Sequence, residues 1–187
     1  IHHIVEVVNQ TLAGNIFHLT KTNETPQLSI PKVRINPFVE IVPISTGCLG
    51  YCSFCKTKFA RGSLKSYPIT EIVSAIRQAT SEGVKEIWLT SEDTGCYGFD
   101  IDADLAELLK DICKIEKDFM IRIGMANPDN ILKIEYKLIE AFKDPKVYKF
   151  LHVPLQSGND EILNMMKRNY TIKDFKNIIK GFRKEIK

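Results

Sequence analysis

The chain has 187 residues, of which 44% are hydrophobic and 26% are charged, and its formal net charge is +3. This is enough for one sizeable core and a small appendage, and it excludes a polycation that binds nucleic acid over its whole surface. No apolar stretch approaches the roughly 20 residues of a membrane-spanning helix. The start lacks a signal-peptide pattern and an initiator Met, which indicates a fragment of a longer, cytoplasmic protein.

Residues 1–36 are predicted to be an appendage or linker from a preceding domain. Apolar residues at helical spacing over residues 4–12 predict a short helix, which Gly14 can cap. The alternation over residues 15–20 is typical of a strand. The polar, proline-containing residues 21–36 predict a loop.

From residue 37 to residue 187, apolar runs alternate with amphipathic segments, which predicts an α/β fold with a parallel sheet. The predicted strands, all buried, cover residues 39–44, 86–90, 119–124 and 149–153. The predicted helices cover residues 70–80, 105–115, 131–142, 160–167 and 171–187. Thr70 is the predicted N-cap of the first of these helices, and Thr171 with Asp174 resembles a capping box before the last.

A polar cluster follows each predicted strand. Because the carboxyl ends of parallel strands meet at one edge of a sheet, we expect the clusters to form a single concave site. The clusters cover residues 45–55, 90–95, 125–128 and 154–158. The chain ends on a helix with no strand after it, so the sheet is predicted to be incomplete.

Three of the five cysteines lie in the first cluster. Cys48, Cys52 and Cys55 have the spacing C-x-x-x-C-x-x-C. Three thiolates can ligate three irons of a cubane [4Fe–4S] cluster and leave the fourth iron without a protein ligand. An open iron can bind a small molecule and pass it an electron. An odd, clustered set of cysteines also argues against a secreted disulfide framework and for a reducing compartment.

Two other interpretations of the cysteine triplet stay open, namely a structural zinc site and no metal at all. Zinc needs a fourth ligand, for which Cys96 or His152 is available. Cys113 lies on the apolar side of a predicted helix and is predicted to be a core thiol. Cys96 lies in a glycine-rich loop and is predicted to be a plain small residue.

An open iron at a strand end suits a chelating amino acid such as S-adenosylmethionine, which yields a 5′-deoxyadenosyl radical when it is reduced. The side chains predicted to hold this cofactor are Phe54, Ser91, Glu92, Asp93 and Gln156. The Phe54 ring can pack near an adenine, and the others can form hydrogen bonds to ammonium or hydroxyl groups. Core filling, helix capping and loop solvation are the alternative roles of these residues.

Positive charge is concentrated in two segments. Residues 48–67 contain four basic residues and no acidic one, which favours contact with a phosphate or a cofactor. The basic residues of 167–187 predict a solvated helix face, with phosphate binding as the alternative. Arg122 is a cation in an apolar strand, and we expect it to pair with a carboxylate of the cofactor, Glu92 or Asp93.

These motifs together resemble the radical S-adenosylmethionine superfamily and, within it, the methylthiotransferases. The matching segments are residues 46–62 (TGCLGYCSFCKTKFARG), 87–98 (IWLTSEDTGCYG), 154–157 (PLQS) and 166–171 (MKRNYT). The first two segments are most similar to the archaeal and eukaryotic branch, which acts on threonylcarbamoyladenosine in tRNA.

The resemblance implies a fold, a reaction and partners. The fold would be a parallel-sheet partial (β/α) barrel of the radical SAM type, with residues 37–187 as a core truncated before its last strands. The reaction would add a methylthio group to C2 of N6-threonylcarbamoyladenosine beside the anticodon, with one S-adenosylmethionine as methyl donor and another as radical source. The partners would be tRNA and an electron-donor protein.

The resemblance also implies roles for residues. Cys48, Cys52 and Cys55 would ligate the radical-generating cluster, and Arg61 and Arg168 match family arginines that hold phosphate or carboxylate. The second, sulfur-supplying cluster of such enzymes would lie in a preceding domain, so this chain should bind one cluster and not complete the reaction. The alternatives are a radical enzyme acting on another substrate and a zinc-stabilised RNA-binding module without catalysis.

Overall fold

A computed structural model describes residues 3–17, Leu28, Ile30 and residues 32–186. The described residues form helices and strands in an alternating order that confirms the predicted α/β fold. The strands are β1 (Val39–Pro43), β2 (Ser45–Thr46), β3 (Lys65–Ser66), β4 (Glu86–Thr90) and β5 (Met120–Ile123). The helices are α1 (Ile4–Leu12), α2 (Thr57–Arg61), α3 (Ile69–Ser81), α4 (Leu105–Cys113), α5 (Pro128–Phe142), α6 (Asp160–Met165) and α7 (Ile172–Glu185).

The main sheet is parallel, with the strand order β1-β4-β5. Its register places Ile41 beside Trp88 and Trp88 beside Arg122. One face is fully buried under the helices, and its residues Val42, Ile87, Leu89 and Ile121 have no exposed surface. The other face is not covered by a described helix, since Ile41 is 54% exposed. The expectation of strands buried on both faces is therefore wrong, because the helices of this chain cover only one of them.

The fourth predicted strand, over residues 149–153, is absent. Val147 forms an isolated parallel bridge with Ile121, and the Ala126 N–H donates to the His152 carbonyl at 3.0 Å. The segment therefore runs alongside β5 and the residues after it, and these backbone contacts lie near its two ends. The Lys149 ammonium donates to the carbonyls of Phe142 and Asp144, which fixes the start of the segment to the end of α5 instead.

Helix ends differ from the prediction at one position and match it at another. α3 is preceded by Pro68 in an extended conformation, and Thr70 lies inside the first turn, so Thr70 is not the N-cap. Proline fits this place because it needs no hydrogen bond to its nitrogen. The capping box of Thr171 and Asp174 at α7 is confirmed, with both reciprocal hydrogen bonds present.

The N-terminal segment contains the predicted helix, α1, followed by Gly14 at a φ of +80°. No residue of α1 is buried. Residues 15–17 form no strand, and the rest of the predicted strand, with most of the predicted linker, lies outside the described residues. Leu28 is buried in the core, and the Arg34 guanidinium pairs with Glu40. The proposed division between residues 1–36 and residues 37–187 stays a prediction.

Among the described residues, no helix combines the length and the apolar character needed to reach across a lipid bilayer.

Candidate functional site

The cysteine loop, residues 47–64, is closed at its base by a short antiparallel ladder. β2 and β3 pair there, and the Tyr67 N–H donates to the Ile44 carbonyl at 3.0 Å. Gly47 begins the loop at a φ of +73°, and a Cβ on it would lie 2.1 Å from the Ser63 carbonyl oxygen. Only glycine fits this place, because both the conformation and the space exclude a side chain. The sequence therefore fixes where the loop starts.

The three thiols of the loop are half-buried and unpaired by disulfides. The Gly50 N–H points to the Cys48 Sγ at 3.2 Å, and the Thr57 N–H points to the Cys55 Sγ at 3.4 Å. A Cβ on Gly50 would lie 3.4 Å from the Cys48 Sγ and 3.6 Å from the Cys52 Sγ, so both sulfurs border the same point. Amide donors to cysteine sulfurs are typical of iron–sulfur sites, where they tune the reduction potential.

The local environment shifts the pKa values of two of these thiols in opposite directions. The Thr57 hydrogen bonds lower the pKa of Cys55, and the positive charge of Arg168 acts in the same direction. Burial raises the pKa of Cys48 and outweighs its hydrogen bond from Gly50. Since a thiolate rather than a thiol binds metal, Cys55 is the better prepared of the two ligands.

The chemistry of the donor atoms bears on which metal group the loop can hold. A cubane cluster takes each thiolate at a different iron. Three thiols on one loop, two of them with a backbone N–H beside the sulfur, are a donor set that fits a [4Fe–4S] cluster with one open iron. A tetrahedral zinc ion would need a fourth ligand in addition to these three thiols.

The loop after β4 is built around the buried carboxylate of Asp93. Its Oδ1 accepts hydrogen bonds from the backbone N–H groups of Gly95 and Asn127, each at 3.0 Å. Its Oδ2 accepts from the amide side chains of Asn127, at 2.7 Å, and Asn130, at 2.8 Å. Asp93 is 1% exposed. These four bonds occupy its acceptor sites, so Asp93 joins the end of β4 to the start of α5 and acts as a positioning residue.

Arg168 extends this network to the cysteine loop. Its Nη1 donates to the Asn127 Oδ1 at 2.7 Å, and its guanidinium lies 5.4 Å from the centre of the Phe54 ring. The neighbouring Ser53 N–H donates to the Met166 carbonyl at 3.2 Å. The chain of contacts therefore runs from Phe54, beside the third cysteine, to Asp93. Phe54 is 53% exposed, so its other surface is available to a ligand.

Three further predicted site residues, Arg61, Ser91 and Glu92, lie on the same edge of the sheet. The Glu92 Oε1 is 3.7 Å from the Arg61 Nε, which joins the loop after β4 to the end of α2. Ser91 accepts a hydrogen bond from the Asp93 N–H at 3.2 Å. Because Arg61 is largely exposed, solvent screens this ion pair, and Glu92 stays available to a cationic group.

Gln156 follows the segment of residues 147–153 and is exposed. Its φ is +72°, a left-handed conformation that is strained for a residue with a side chain. The Tyr170 hydroxyl donates to the neighbouring Leu155 carbonyl at 2.6 Å and fixes this turn. Strain of this kind is concentrated at functional sites, and it turns the Gln156 side chain away from the direction that an extended strand would give it.

The remaining predictions have mixed outcomes. Cys96 is fully buried, donates its thiol to the Asp93 carbonyl at 3.2 Å, and has a pKa raised by burial. Cys113 packs against the core, and burial raises its pKa to about 12. Arg122 lies over the rings of Trp88, at 5.1 Å, and Phe150, at 5.6 Å. Of the carboxylates expected for Arg122, Asp93 accepts its hydrogen bonds from Gly95, Asn127 and Asn130 instead, and two aromatic faces lie against the guanidinium. The pairing of Arg122 with a carboxylate of the cofactor stays a prediction.

The basic residues of the cysteine loop are partly used inside the loop. The Lys58 ammonium donates to the Cys48 carbonyl at 2.5 Å and lies 4.6 Å from the centre of the Tyr51 ring. Lys56 lies 5.1 Å from the centre of the Phe59 ring. Lys58 therefore fixes the backbone of Cys48. The exposed rings of Tyr51 and Phe59 are each in contact with a lysine ammonium group, that of Lys58 and that of Lys56 respectively.

Sequence patterns did not reveal Asn127 and Asn130. Their partner, Asp93, is 34 and 37 residues away in the chain. The only signal was position, because Asn127 belongs to the polar cluster that follows the third predicted strand. Its hydrogen bonds with Asp93 depend on the parallel pairing of β4 with β5. The sequence predicts a parallel sheet but not which strands are neighbours in it.

Known proteins are similar to this chain in sequence. The family described as the Radical SAM superfamily matches residues 42–187. A probable threonylcarbamoyladenosine tRNA methylthiotransferase of Pyrococcus abyssi is 47% identical over 99% of this chain, and the human threonylcarbamoyladenosine tRNA methylthiotransferase is 43% identical over 100% of it. The chain spans 44% and 34% of the lengths of these relatives. They confirm the predicted resemblance to the archaeal and eukaryotic branch.

Solved structures agree in fold. A radical S-adenosylmethionine methyltransferase, TsrM from Kitasatospora setae, with cobalamin and a [4Fe–4S] cluster bound, has a TM-score of 0.63 at 13% identity, over 79% of this chain and 29% of its own. The cobalamin-dependent S-adenosylmethionine radical enzyme OxsB has a TM-score of 0.58 at 16% identity, over 76% of this chain and 22% of its own. The superfamily uses a [4Fe–4S] cluster with S-adenosylmethionine. From the family match and this shared fold, the chain belongs to the radical SAM superfamily.

Proposed function

We propose that this chain is the catalytic core of a tRNA methylthiotransferase that adds a methylthio group to C2 of N6-threonylcarbamoyladenosine. The observation that carries this proposal is the identity of 43–47% over 99–100% of the chain to archaeal and human proteins of that name. That identity spans the cysteine loop, the loop after β4 and the turn at Gln156. The substrate, threonylcarbamoyladenosine in tRNA, follows from the names of these relatives, and its place beside the anticodon is part of the proposal.

Cys48, Cys52 and Cys55 would hold the [4Fe–4S] cluster, each at one iron. Bound together, the cluster and S-adenosylmethionine supply the electron, the radical and the methyl group that the reaction needs. Gly50 and Thr57 donate N–H hydrogen bonds to the sulfurs of Cys48 and Cys55, at 3.2 and 3.4 Å, and so favour the charged state of these ligands.

Other side chains would bind and orient the cofactor. Glu92 presents a partly exposed carboxylate to the ammonium group of S-adenosylmethionine, with Arg61 as its neighbour. Phe54 offers a ring face to the adenine, and Arg168 holds that ring from the other side. Ser91 and Gln156 offer neutral hydrogen bonds. Asp93 fixes the position of Arg168, and through it the Phe54 ring, by way of Asn127, and it would not touch the cofactor itself.

The partners follow from the same proposal. The tRNA would approach the edge of the sheet that carries the cysteine loop, where exposed aromatic rings alternate with cations. An electron-donor protein would reduce the cluster. A second [4Fe–4S] cluster, as sulfur source, would be held by a preceding domain of the full-length protein, to which residues 1–36 would be the connection.

A two-step experiment tests the proposed function. The full-length protein is reconstituted with iron and sulfide under anaerobic conditions, reduced, and examined by electron paramagnetic resonance with and without S-adenosylmethionine. It is then incubated with tRNA that contains threonylcarbamoyladenosine, and the nucleosides are analysed by mass spectrometry. We expect a cubane signal that S-adenosylmethionine alters, and a nucleoside heavier by one methylthio group that replaces hydrogen.

Each negative result points to a different alternative. A cubane signal with no change in the nucleoside indicates a radical enzyme acting on another substrate. Bound zinc with no cubane signal indicates an RNA-binding module without catalysis. Either outcome would remove the methylthiotransferase proposal.

A further inference from the structure

A cavity of about 430 Å³ lies beside the cysteine loop, and it shares only Gly50 and Arg168 with the proposed cofactor site. Its walls are residues 49–51 of the loop, the first two turns of α5, and the last turn of α6 with the residues that follow it. The cavity is therefore formed by three elements that the network of Asp93, Asn127 and Arg168 holds together.

The lining of this cavity is rich in cations and amides. Lys133, Lys167 and Arg168 contribute three positive charges, against one carboxylate, Asp129. Side-chain amides also line the walls, and they come from Asn130, Asn164 and Asn169. Lys133 is oriented by a hydrogen bond to the Asn130 Oδ1 at 3.0 Å. Three cations around one cavity, with the side-chain amides of Asn164 and Asn169 as neutral donors, form a site for an oxyanion.

The backbone at Lys167 supports a role for its side chain. The Lys167 N–H donates to the Asn164 carbonyl and the Arg168 N–H donates to the Leu163 carbonyl, both at 2.9 Å. This is the Schellman pattern at the end of α6, where glycine or asparagine usually takes the left-handed position. Lys167 occupies that position with a φ of +55°, so a strained lysine stands where glycine would be relaxed.

We infer that this cavity binds a phosphate of the RNA backbone through Lys133 and Lys167. The assignment of this phosphate to RNA rests on the proposed function, in which tRNA is the substrate. A phosphate held beside residues 49–51 would anchor the strand next to the cluster loop and so position the reacting nucleotide. The contact fixes the position of the RNA and gives no base specificity, since phosphates are the same along the strand.

Fluorescence anisotropy with a labelled anticodon stem-loop RNA tests this inference on the full-length, cluster-containing protein at several salt concentrations. The variants are Lys167→Gly and Lys133→Gln, and the matched control is Lys85→Gln, an exposed lysine at the opposite edge of the sheet. We expect each cavity variant to bind about fivefold more weakly at low salt and to reduce the salt slope by about 1. The control should bind as the wild type does.

Lys167→Gly separates binding from folding. Glycine relaxes the left-handed position, so its melting temperature should equal or exceed that of the wild type while RNA affinity falls. A variant that is stable and binds RNA weakly cannot be explained by unfolding.

The outcomes distinguish this inference from the proposed function. Wild-type affinity in both cavity variants overturns the inference, whatever the nucleoside assay shows. Weaker binding of S-adenosylmethionine with unchanged RNA binding assigns the cavity to the cofactor and also overturns it. Weaker RNA binding without a methylthio product supports the cavity and removes the proposed reaction.

Discussion

Two loops on the same edge of the sheet are built in opposite ways. The loop after β4 is buried, and its Asp93 accepts four hydrogen bonds from within the protein. The cysteine loop after β1 has half-buried thiols and three exposed rings, Phe59 at 83%, Tyr51 at 71% and Phe54 at 53% exposure. The first loop is stabilised by the protein alone, whereas the second presents its ligating groups outward.

This difference separates positioning from chemistry. The loop of Asp93 is held rigidly by its hydrogen bonds. Arg168 contacts Asn127 on one side and the Phe54 ring on the other, and so positions the cysteine loop relative to the loop of Asp93. Metal binding and folding are coupled where ligands are gathered by the metal itself. We therefore expect cluster binding to stabilise the cysteine loop strongly and the loop of Asp93 very little.

The largest expected effect is the loss of the cluster in Cys52→Ser. A serine oxygen is a poor ligand for iron, so the variant should lose its cubane signal and its activity. Cys96→Ser is the matched control, because Cys96 is buried against the Asp93 carbonyl and is not predicted to bind iron. Iron content and electron paramagnetic resonance measure both variants. A cubane signal lost in Cys96→Ser would show that the cluster has a fourth protein ligand.

The second effect is on stability, in Asp93→Ala. Removal of a buried carboxylate leaves four N–H donors without partners, so the free energy of unfolding should fall by about 3–5 kcal/mol. Urea denaturation of the metal-free protein measures this change. Asp93→Asn keeps one acceptor oxygen and should cost less. An Asp93→Ala variant as stable as the wild type would show that the network does not hold the two loops.

The third effect compares two glycines at the ends of the cysteine loop. Gly47 and Gly62 both have a positive φ, of +73° and +79°, but only Gly47 has backbone atoms where a Cβ would lie. Gly62→Ala should cost about 1–3 kcal/mol from conformational strain, because its φ of +79° with a ψ of −160° is a conformation that almost only glycine adopts. Gly47→Ala should cost about 3 kcal/mol or more, because a backbone segment must also move. Equal costs in urea denaturation would mean that the crowding at Ser63 relaxes freely.

The sequence predicts what depends on local spacing. β4 is predicted to the residue, because a short apolar run between polar ends indicates a strand without knowledge of its neighbours. The cysteine triplet is a local pattern of the same kind, since its three thiols lie within eight residues, and its role in ligating a cluster stays a prediction. The capping box at Thr171 is likewise a pattern of four consecutive residues.

The sequence does not predict what depends on distant partners. The apolar run of residues 149–153 looks like a strand, yet only Val147 makes a bridge to Ile121. Arg122 needs a partner that composition cannot identify, and it finds two aromatic rings. Asn127 gains its role only when β5 lies beside β4. In each case the partner is set by the packing of the sheet and not by a local pattern.

The smallest expected effect is a change in the free energy of unfolding with pH, to which two carboxylates contribute with opposite signs. Burial raises the pKa of Asp129, which lines the cavity beside the cysteine loop, whereas hydrogen bonds from Thr171 lower the pKa of Asp174 at the start of α7. A raised pKa means that the folded state binds the proton more tightly than the unfolded state. Asp129 therefore destabilises the fold as the pH rises above the ordinary pKa of aspartate, about 4.

The two asparagine variants should consequently change stability with opposite signs. Asp129→Asn should raise the free energy of unfolding at pH 7, because the buried charge is gone, and the gain should shrink as the pH falls toward 3. Asp174→Asn should lower it at pH 7, and the loss should also shrink in acid, where the wild-type carboxyl is itself protonated. Urea denaturation from pH 3 to pH 7 measures both. A loss of stability at pH 7 in Asp129→Asn would show that the charge of Asp129 is stabilising, through the start of α5 or the cations Lys133 and Arg168, and not a cost of burial.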